Sequence, residues 1–145
     1  MKNIITFVCV FFLMIITSCG SSKSILSVGS LSESTWVLES LNGEEVKAIQ
    51  GNRVQPYINF SRDNKISGNS GCNGFSGSYN LNDEGGINIS QLAATKMYCE
   101  GSKESVFFKM IETATMVKMN KNKLTFLGGT KEVAVFVARK ESVNQ

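Results

Sequence analysis

Residues 71–79 read GCNGFSGSY, and glycine recurs at every third position from Gly68 to Gly77. Glycine at this density permits β-bulges, close approach of two backbones and positive φ angles. Four such triplets without proline do not make a collagen helix, and no lysine follows the glycines as a phosphate-binding loop requires. The pattern therefore predicts a structurally demanded bend. A nest of backbone amides that binds an anion is the alternative.

Two of the four cysteines are available to the folded part of the chain. Cys9 lies within an apolar N-terminal run and Cys19 at its end, which leaves Cys72 and Cys99 as an even pair. In an exported protein this pair favours a disulfide, which would stabilise the fold by about 3.5 kcal/mol in the chain-entropy model. A zinc site is disfavoured because the chain has no histidine, and a thioredoxin-type redox pair would need a CxxC spacing. We expect no bound metal.

The N-terminus has the pattern of a lipoprotein signal peptide. Lys2 precedes an apolar run over residues 4–16, and residues 16–20 read ITSCG. This resembles the bacterial lipobox, and the resemblance implies cleavage before Cys19 and a lipid on that cysteine. A transmembrane anchor is disfavoured, because about thirteen helical residues reach about 20 Å against a bilayer core of about 30 Å. A plain secretory signal peptide is the closer alternative.

The composition predicts one folded domain that is attached to a membrane through a lipidated N-terminal segment. We expect a signal peptide over residues 1–18, a flexible tether over 19–34, a single domain over 35–140 and a tail over 141–145. The formal net charge is only +3, so nucleic acid is not an expected partner. The basic residues of the last third form either a solvated face, which we favour, or a weak patch for anionic lipid: Lys118, Lys121, Lys123, Lys131, Arg139 and Lys140, against Glu132.

The domain reads as short strands punctuated by turns, with one exception. From Ser102, the expected N-cap, to Thr113, apolar residues follow helical spacing and indicate an amphipathic helix. The fold class is therefore α+β: a β-rich single domain with an antiparallel sheet or partly open barrel and one helix packed against it. The expected strands are 35–41, 55–61, 65–69, 77–81, 87–90, 114–119, 123–127 and 132–138, with 55–61 and 65–69 forming a hairpin.

Two segments together resemble the paired signature of a known family. The stretch 71–79 is followed by residues 92–99, which read LAATKMYC, and both are similar to the META domain family, which includes the heat-shock protein HslJ. The opening Trp36-Val37-Leu38, the Asn42-Gly43 turn and the helix after Cys99 occur in the family's order. The resemblance covers most of residues 34–140.

The META resemblance implies a compact β-rich domain in the cell envelope, associated in some bacterial members with stress or antibiotic tolerance. It implies no reaction, so the motif residues carry over in structural roles. Asn73 is expected to bond local backbone, and Phe75, Tyr79 and Met97 to pack. The remaining motif positions are the Cys72–Cys99 bridge and Gly71, Gly77 and Thr95.

The residue inventory excludes the common catalytic schemes. Without histidine there is no Ser-His-Asp or Cys-His nucleophile, and the carboxylates lie in or beside expected turns. No cofactor is expected, and we expect a non-enzymatic protein. Two functions remain. The first is an envelope lipoprotein that interacts with a protein partner and is anchored in the outer membrane, facing the periplasm. The second is a carrier of a small hydrophobic ligand or lipid in a β cavity. We favour the first, because the aromatic residues suffice to fill the core.

Overall fold

A computed structural model describes residues 26–46 and 54–139 as two helices and nine strands. The helices are α1 (Val28–Leu31) and α2 (Glu104–Thr113). The strands are β1 (Thr35–Leu41), β2 (Glu44–Glu45), β3 (Tyr57–Phe60), β4 (Lys65–Asn69), β5 (Gly74–Leu81), β6 (Ile87–Ala94), β7 (Met116–Asn120), β8 (Lys123–Gly128) and β9 (Lys131–Arg139).

All the strand pairings are antiparallel and form one sheet. The order is β6-β5-β4-β3-β1-β9-β8-β7, and β2 pairs with β1 outside this path. The two ends of the sheet meet only at an isolated bridge between Gly86 and Met116, so the sheet curls without closing. The α+β prediction is confirmed: a curved antiparallel sheet carries one amphipathic helix, α2, on its inner face.

The core lies between the inner face of the sheet and α2. The helix buries Phe107, Met110 and Ile111, which are the apolar positions that its sequence periodicity places on one side. Sheet residues meet this stripe from the opposite side, and the largest fully buried ones are Trp36, Tyr79, Phe126, Phe136, Leu38, Ile58, Ile66 and Leu124. Aromatic rings thus fill the interior of the curved sheet.

Tight turns set the two poles of the sheet. At what we call the upper pole lie the Asn42-Gly43 turn, the 70–73 turn between β4 and β5, and the 95–103 connection after β6. At the lower pole lie the turns 61–64, 82–86 and 121–122. The predicted hairpin of β3 and β4 is confirmed, with Phe60 opposite Ile66.

Two strands extend further than the sequence predicts. β5 begins at Gly74 instead of Gly77, and β6 continues to Ala94 instead of ending at residue 90. A register shift between Ser76 and Ser78 interrupts their pairing, and Gln91 takes a φ of 54°. A bulge breaks the alternation of inward and outward side chains, so the period of two stops short of the true strand ends.

The C-terminal part of the predicted tether is folded. Residues 26–34 contain α1, whose Ser27 and Ser30 form a reciprocal capping box. Leu31 is fully buried, Leu26 is buried, and the Trp36 indole Nε1 donates a 2.8 Å hydrogen bond to the Leu31 carbonyl. The prediction of a flexible tether is wrong for residues 26–34. The Ser-rich composition indicated a linker, but burial of two leucines is enough to hold one helical turn against the domain. Residues 19–25 of the predicted tether, with Cys19, lie outside the described residues, as do the signal peptide and the tail.

Within residues 26–46 and 54–139, no helix is both long and apolar enough to cross a membrane.

Candidate functional site

The 70–73 turn at the upper pole is built on glycines that the packing requires. Gly71 has a φ of 98°, in the left-handed region. At Gly68 a Cβ would lie 2.1 Å from the Tyr57 carbonyl oxygen, so two strands approach there more closely than a side chain allows. Gly74, in the same series, has no atom nearer than 3.8 Å and shows no such constraint. The predicted bend is therefore present, and its cause is close backbone approach at some glycines of the series.

Three of the four backbone amides of this turn donate hydrogen bonds within the protein. The Ser70 N–H donates to the Asn73 carbonyl at 2.9 Å, and the Asn73 N–H donates to the Ser70 hydroxyl at 3.0 Å. The Gly71 N–H donates to Asn69 Oδ1 at 2.8 Å. An anion nest needs such amides free and convergent, so the geometry disfavours the alternative interpretation of the glycine series.

Asn73 joins the two halves of the sequence signature. Its Oδ1 accepts from the Met97 N–H and from the Thr95 hydroxyl, each at 2.7 Å. Its Nδ2 donates to the Met97 carbonyl at 3.0 Å and to Glu104 Oε2 at 2.9 Å. The side chain is 1% exposed, so these bonds replace water completely. Asn73 does bond backbone, as expected, but that backbone belongs to the segment after β6 and is not local.

Glu104 and Ser70 complete this polar cluster from the start of α2. The Ser70 hydroxyl donates to Glu104 Oε1 at 2.5 Å, while the other carboxylate oxygen is occupied by Asn73. The helix begins one residue later than predicted: Lys103 is the N-cap, and the Ser102 hydroxyl accepts the Glu104 N–H at 3.1 Å. A carboxylate in the first turn of a helix is also stabilised by the helix dipole.

The predicted disulfide lies beside the cluster. Cys72 and Cys99 are bonded, with Cα atoms 5.9 Å apart. The bond closes the segment that Asn73 holds at Met97, so residues 97–99 are attached to the 70–73 turn at both ends.

The family-level comparison agrees with this geometry. A model of the META domain matches residues 29–141, which includes both halves of the signature and α2. The chain belongs to the META domain family. The match begins within α1, in agreement with the folded position of that helix and with a domain start earlier than predicted.

Two solved structures resemble this META domain. One is an NMR structure of a protein that is 27% identical, with a TM-score of 0.65; the match covers 80% of this chain and 97% of that one. The other is the crystal structure of a DUF4847 family protein from Bacteroides vulgatus ATCC 8482, 17% identical with a TM-score of 0.56, covering 77% of this chain and 96% of that one. The second likeness shows the fold alone. None of the curated proteins compared with the chain matches it.

Two of the three META motif residues expected to pack are in the core. Tyr79 is 1% exposed, its ring lies edge-on to Phe60, and its hydroxyl donates to the Ser61 carbonyl at 2.9 Å. Phe75 is buried, with its ring centroid 5.7 Å from those of both Phe107 and Phe108 on α2. The signature strand is thus attached to the helix by aromatic contacts.

The packing role expected for Met97 is wrong. Its side chain is 62% exposed and that of the next residue, Tyr98, is 91% exposed, although the backbone of Met97 is held by Asn73. The Met97 side chain is exposed because the N–H and carbonyl of this residue point inward to the Asn73 side-chain amide, which leaves the side chain on the outside. We call residues 96–98 the tip.

A third exposed apolar side chain lies near the tip. Val54 is 49% exposed, and its carbonyl oxygen lies 3.7 Å from the position of a Cβ at Gly71, next to the disulfide. Val106 on α2 completes the set of large apolar side chains that are exposed in the described residues. Exposed apolar surface in this part of the META domain is therefore concentrated at the upper pole.

Three open surface depressions in the described residues have volumes of about 320, 470 and 450 Å³, and the last of these is lined by Asn73 and the tip. A more enclosed groove at the upper pole has a volume of about 230 Å³, below the range of about 300–1,000 Å³ typical of ligand pockets. The described residues that line it include Leu38, Leu41, Val46, Pro56 and Phe107. At its rim Lys103 is bonded to Glu44, and this contact lowers the pKa of the Glu44 carboxyl. Leu38 and Phe107 are also core residues, so the floor of the groove reaches the core between the sheet and α2.

The sequence did not point to Glu104, Ser70 or Tyr98 as site residues. Glu104 and Ser70 are 34 positions apart, and no local pattern marks two residues that meet only through the tertiary fold. Tyr98 lies inside the META signature over residues 92–99. The adjacent Met97 and Tyr98 before Cys99 were the sequence feature that could have indicated an exposed apolar site. Within the described residues, no group of His, Cys, Asp and Glu side chains is arranged to hold a metal ion.

Proposed function

We propose that this META-domain chain is a cell-envelope lipoprotein, attached through a lipid on Cys19, whose folded domain binds another macromolecule and catalyses no reaction. The observation that carries the binding role is the pair Met97 and Tyr98, exposed on a segment that a buried asparagine and a disulfide hold in place. Large apolar side chains that are exposed and fixed are typical of interaction surfaces.

The filled interior supports this function over a ligand carrier. A carrier needs an internal apolar cavity of several hundred cubic ångströms, whereas here rings occupy the space between sheet and helix. Phe126 and Phe136 are fully buried with centroids 5.2 Å apart, and Phe75 contacts two rings of α2. A lipid inside the sheet would have to displace these rings.

Attachment by lipid is supported by the lipobox-like residues 16–20. A diacylated and N-acylated cysteine would hold the domain on a membrane, since each buried methylene contributes about 0.8 kcal/mol. We place the protein on the outer membrane, facing the periplasm. An oxidising periplasm is compatible with the Cys72–Cys99 disulfide.

A role in the stress response is the finer part of the proposal. It rests on the META family membership, and it means that the bound macromolecule is protected or regulated when the envelope is damaged. A deletion strain tested for growth under heat and under envelope-directed antibiotics measures this part separately from binding.

The experiment that tests the function compares the native lipoprotein with Cys19→Ala in cells. Metabolic labelling with a palmitate analogue and membrane fractionation report the anchor, and a lysine-reactive crosslinker followed by mass spectrometry reports bound proteins and lipids. We expect label and membrane association only with Cys19, and a reproducible crosslinked partner. An unlabelled native protein contradicts the anchor, whereas a stoichiometric apolar small molecule with no macromolecular partner favours the carrier.

A further inference from the structure

We propose that the tip is the docking point for a folded protein partner with an apolar pocket, and that it is presented at the pole opposite the one where the chain from the lipid enters the domain. This inference rests on the proposed function and names the surface and the class of partner.

The tip is organised before it binds. Asn73 fixes both the N–H and the carbonyl of Met97, and the disulfide fixes Cys99 on the other side of Tyr98. Ordering such a segment on binding costs little entropy, because its backbone is already held. Tyrosine is enriched among the residues that dominate interface energies, and methionine adapts to irregular pockets. A protruding segment with a fixed backbone is suited to a protein pocket of complementary shape. A fluid lipid surface adapts to any shape and does not require a fixed one.

The tip presents two large apolar side chains and one positive charge, that of Lys96, within a segment whose charges balance. In the described residues every buried side-chain nitrogen and oxygen has a hydrogen-bond partner, and in the cluster beneath the tip the Asn73 amide and both Glu104 carboxylate oxygens are bonded within the protein. Residues 94–104 contain Lys96, Lys103, Glu100 and Glu104, a balance of two charges of each sign. Anionic lipid surfaces attract clusters of about four to eight basic residues. The tip therefore fits an apolar protein pocket better than a lipid headgroup layer.

The tip and Leu26, the first described residue, lie at opposite ends of β6. Leu26 lies at the lower pole, with its Cδ2 3.5 Å from the position of a Cβ at Gly85. From there β6 runs for eight residues to Ala94, about 25 Å, and the tip follows. Cys19 is seven positions before Leu26, so the link from the lipid is at most about 25 Å long. The chain from the lipid therefore enters the domain at the lower pole, at the other end of β6 from the tip.

The test is position-specific photo-crosslinking of the full-length lipoprotein in cells. Benzoylphenylalanine replaces Tyr98 at the tip, or Glu84, an exposed residue of the lower pole, as the matched control. We expect one protein adduct from position 98, none of the same mass from position 84, and at least a tenfold loss of the adduct when Met97→Ser is added. With the identified protein purified, Tyr98→Ser should weaken its binding about 30-fold or more.

Several results would overturn the inference. These are a lipid adduct or a dimer of this chain from position 98, no adduct from position 98, or an adduct that Met97→Ser leaves unchanged. Unaltered melting temperatures of Met97→Ser and Tyr98→Ser, within about 2 °C, show that both variants fold. The lysine-reactive crosslinking experiment that tests the proposed function is carried out on the same cells. A partner seen there with no adduct at the tip rejects the tip alone, whereas no partner in either experiment rejects the binding function itself.

Discussion

The Asn73 side chain and the Met97 backbone are joined by two hydrogen bonds across 24 positions of sequence. The amide oxygen accepts the Met97 N–H and the amide nitrogen donates to the Met97 carbonyl, so asparagine completes a backbone pairing that no strand supplies. The same amide reaches Thr95 and Glu104 with its remaining capacity. One buried side chain thus joins the β4–β5 turn, the segment after β6 and the first turn of α2.

Replacing Asn73 by Ala should destabilise the domain by about 2–4 kcal/mol, because four hydrogen bonds to partly buried groups are lost. Urea unfolding of the purified domain measures this loss. Asn80→Ala is the matched control, since Asn80 is exposed on β5, and it should change the free energy of unfolding by no more than about 0.5 kcal/mol. Equal effects of the two substitutions would contradict the role of Asn73.

The parts of the fold that sequence predicted well depend on local chemistry. α2 was found from its apolar stripe, and the Asn42-Gly43 turn from residues that tolerate the positive φ angles of 53° and 83° found there. α1 was missed because its stability comes from the burial of Leu31 and from the bond to the Trp36 indole, neither of which is local.

The candidate site was predicted in part for the same reason. Cysteine counting identified Cys72 and Cys99 because an even pair in a chain predicted to be exported leaves few alternatives to a disulfide. The orientation of Met97 could not be deduced, because it depends on which face of its backbone Asn73 occupies. Glu104 entered the site through packing of α2 against the sheet, which places its carboxylate beside Ser70.

Gly68→Ala should lower the stability of the domain and Gly74→Ala should leave it nearly unchanged, although both glycines belong to the same triplet series. A Cβ at Gly68 would meet the Tyr57 carbonyl at 2.1 Å, and backbone cannot move aside as a side chain can, so we expect a loss of about 3 kcal/mol. At Gly74 the nearest atom is 3.8 Å away, and the change should be neutral within about 1 kcal/mol. Thermal melts of both variants check this, and similar melting temperatures would show that the strands do not approach as closely as described.

Tyr79 should make the domain sensitive to alkaline pH. Burial, with a smaller contribution from the Asp63 charge, raises the pKa of the Tyr79 hydroxyl above its usual value of 10. The folded state therefore favours the neutral phenol. The stability that it contributes is fully present below pH 10 and is lost as pH rises through the higher pKa of the folded state.

Tyr79→Phe should remove this alkaline loss and should cost about 1 kcal/mol at neutral pH, because the hydrogen bond to the Ser61 carbonyl disappears. Urea unfolding from pH 7 to pH 11 measures both effects. Tyr98→Phe is the control, because Tyr98 is 91% exposed and its variant should follow the native curve. A Tyr79→Phe curve that falls as steeply as the native one at high pH would assign the alkaline loss to other groups.

Removal of the disulfide should lower the free energy of unfolding by about 3.5 kcal/mol, because a bond between residues 27 positions apart restricts the unfolded chain. The double variant Cys72→Ala, Cys99→Ala tests this without leaving a free thiol, and the native domain with dithiothreitol is its matched control. Both should unfold at the same lower urea concentration, and thiol titration should find no free thiol in the untreated native domain without Cys9 and Cys19. Asn73 Nδ2 also contacts Cys72 Sγ at 3.4 Å, but the four hydrogen bonds of its side chain to Thr95, Met97 and Glu104 do not need the disulfide, so the reduced domain should still fold. Equal midpoints with and without reductant, together with two free thiols, would show that the bond does not form.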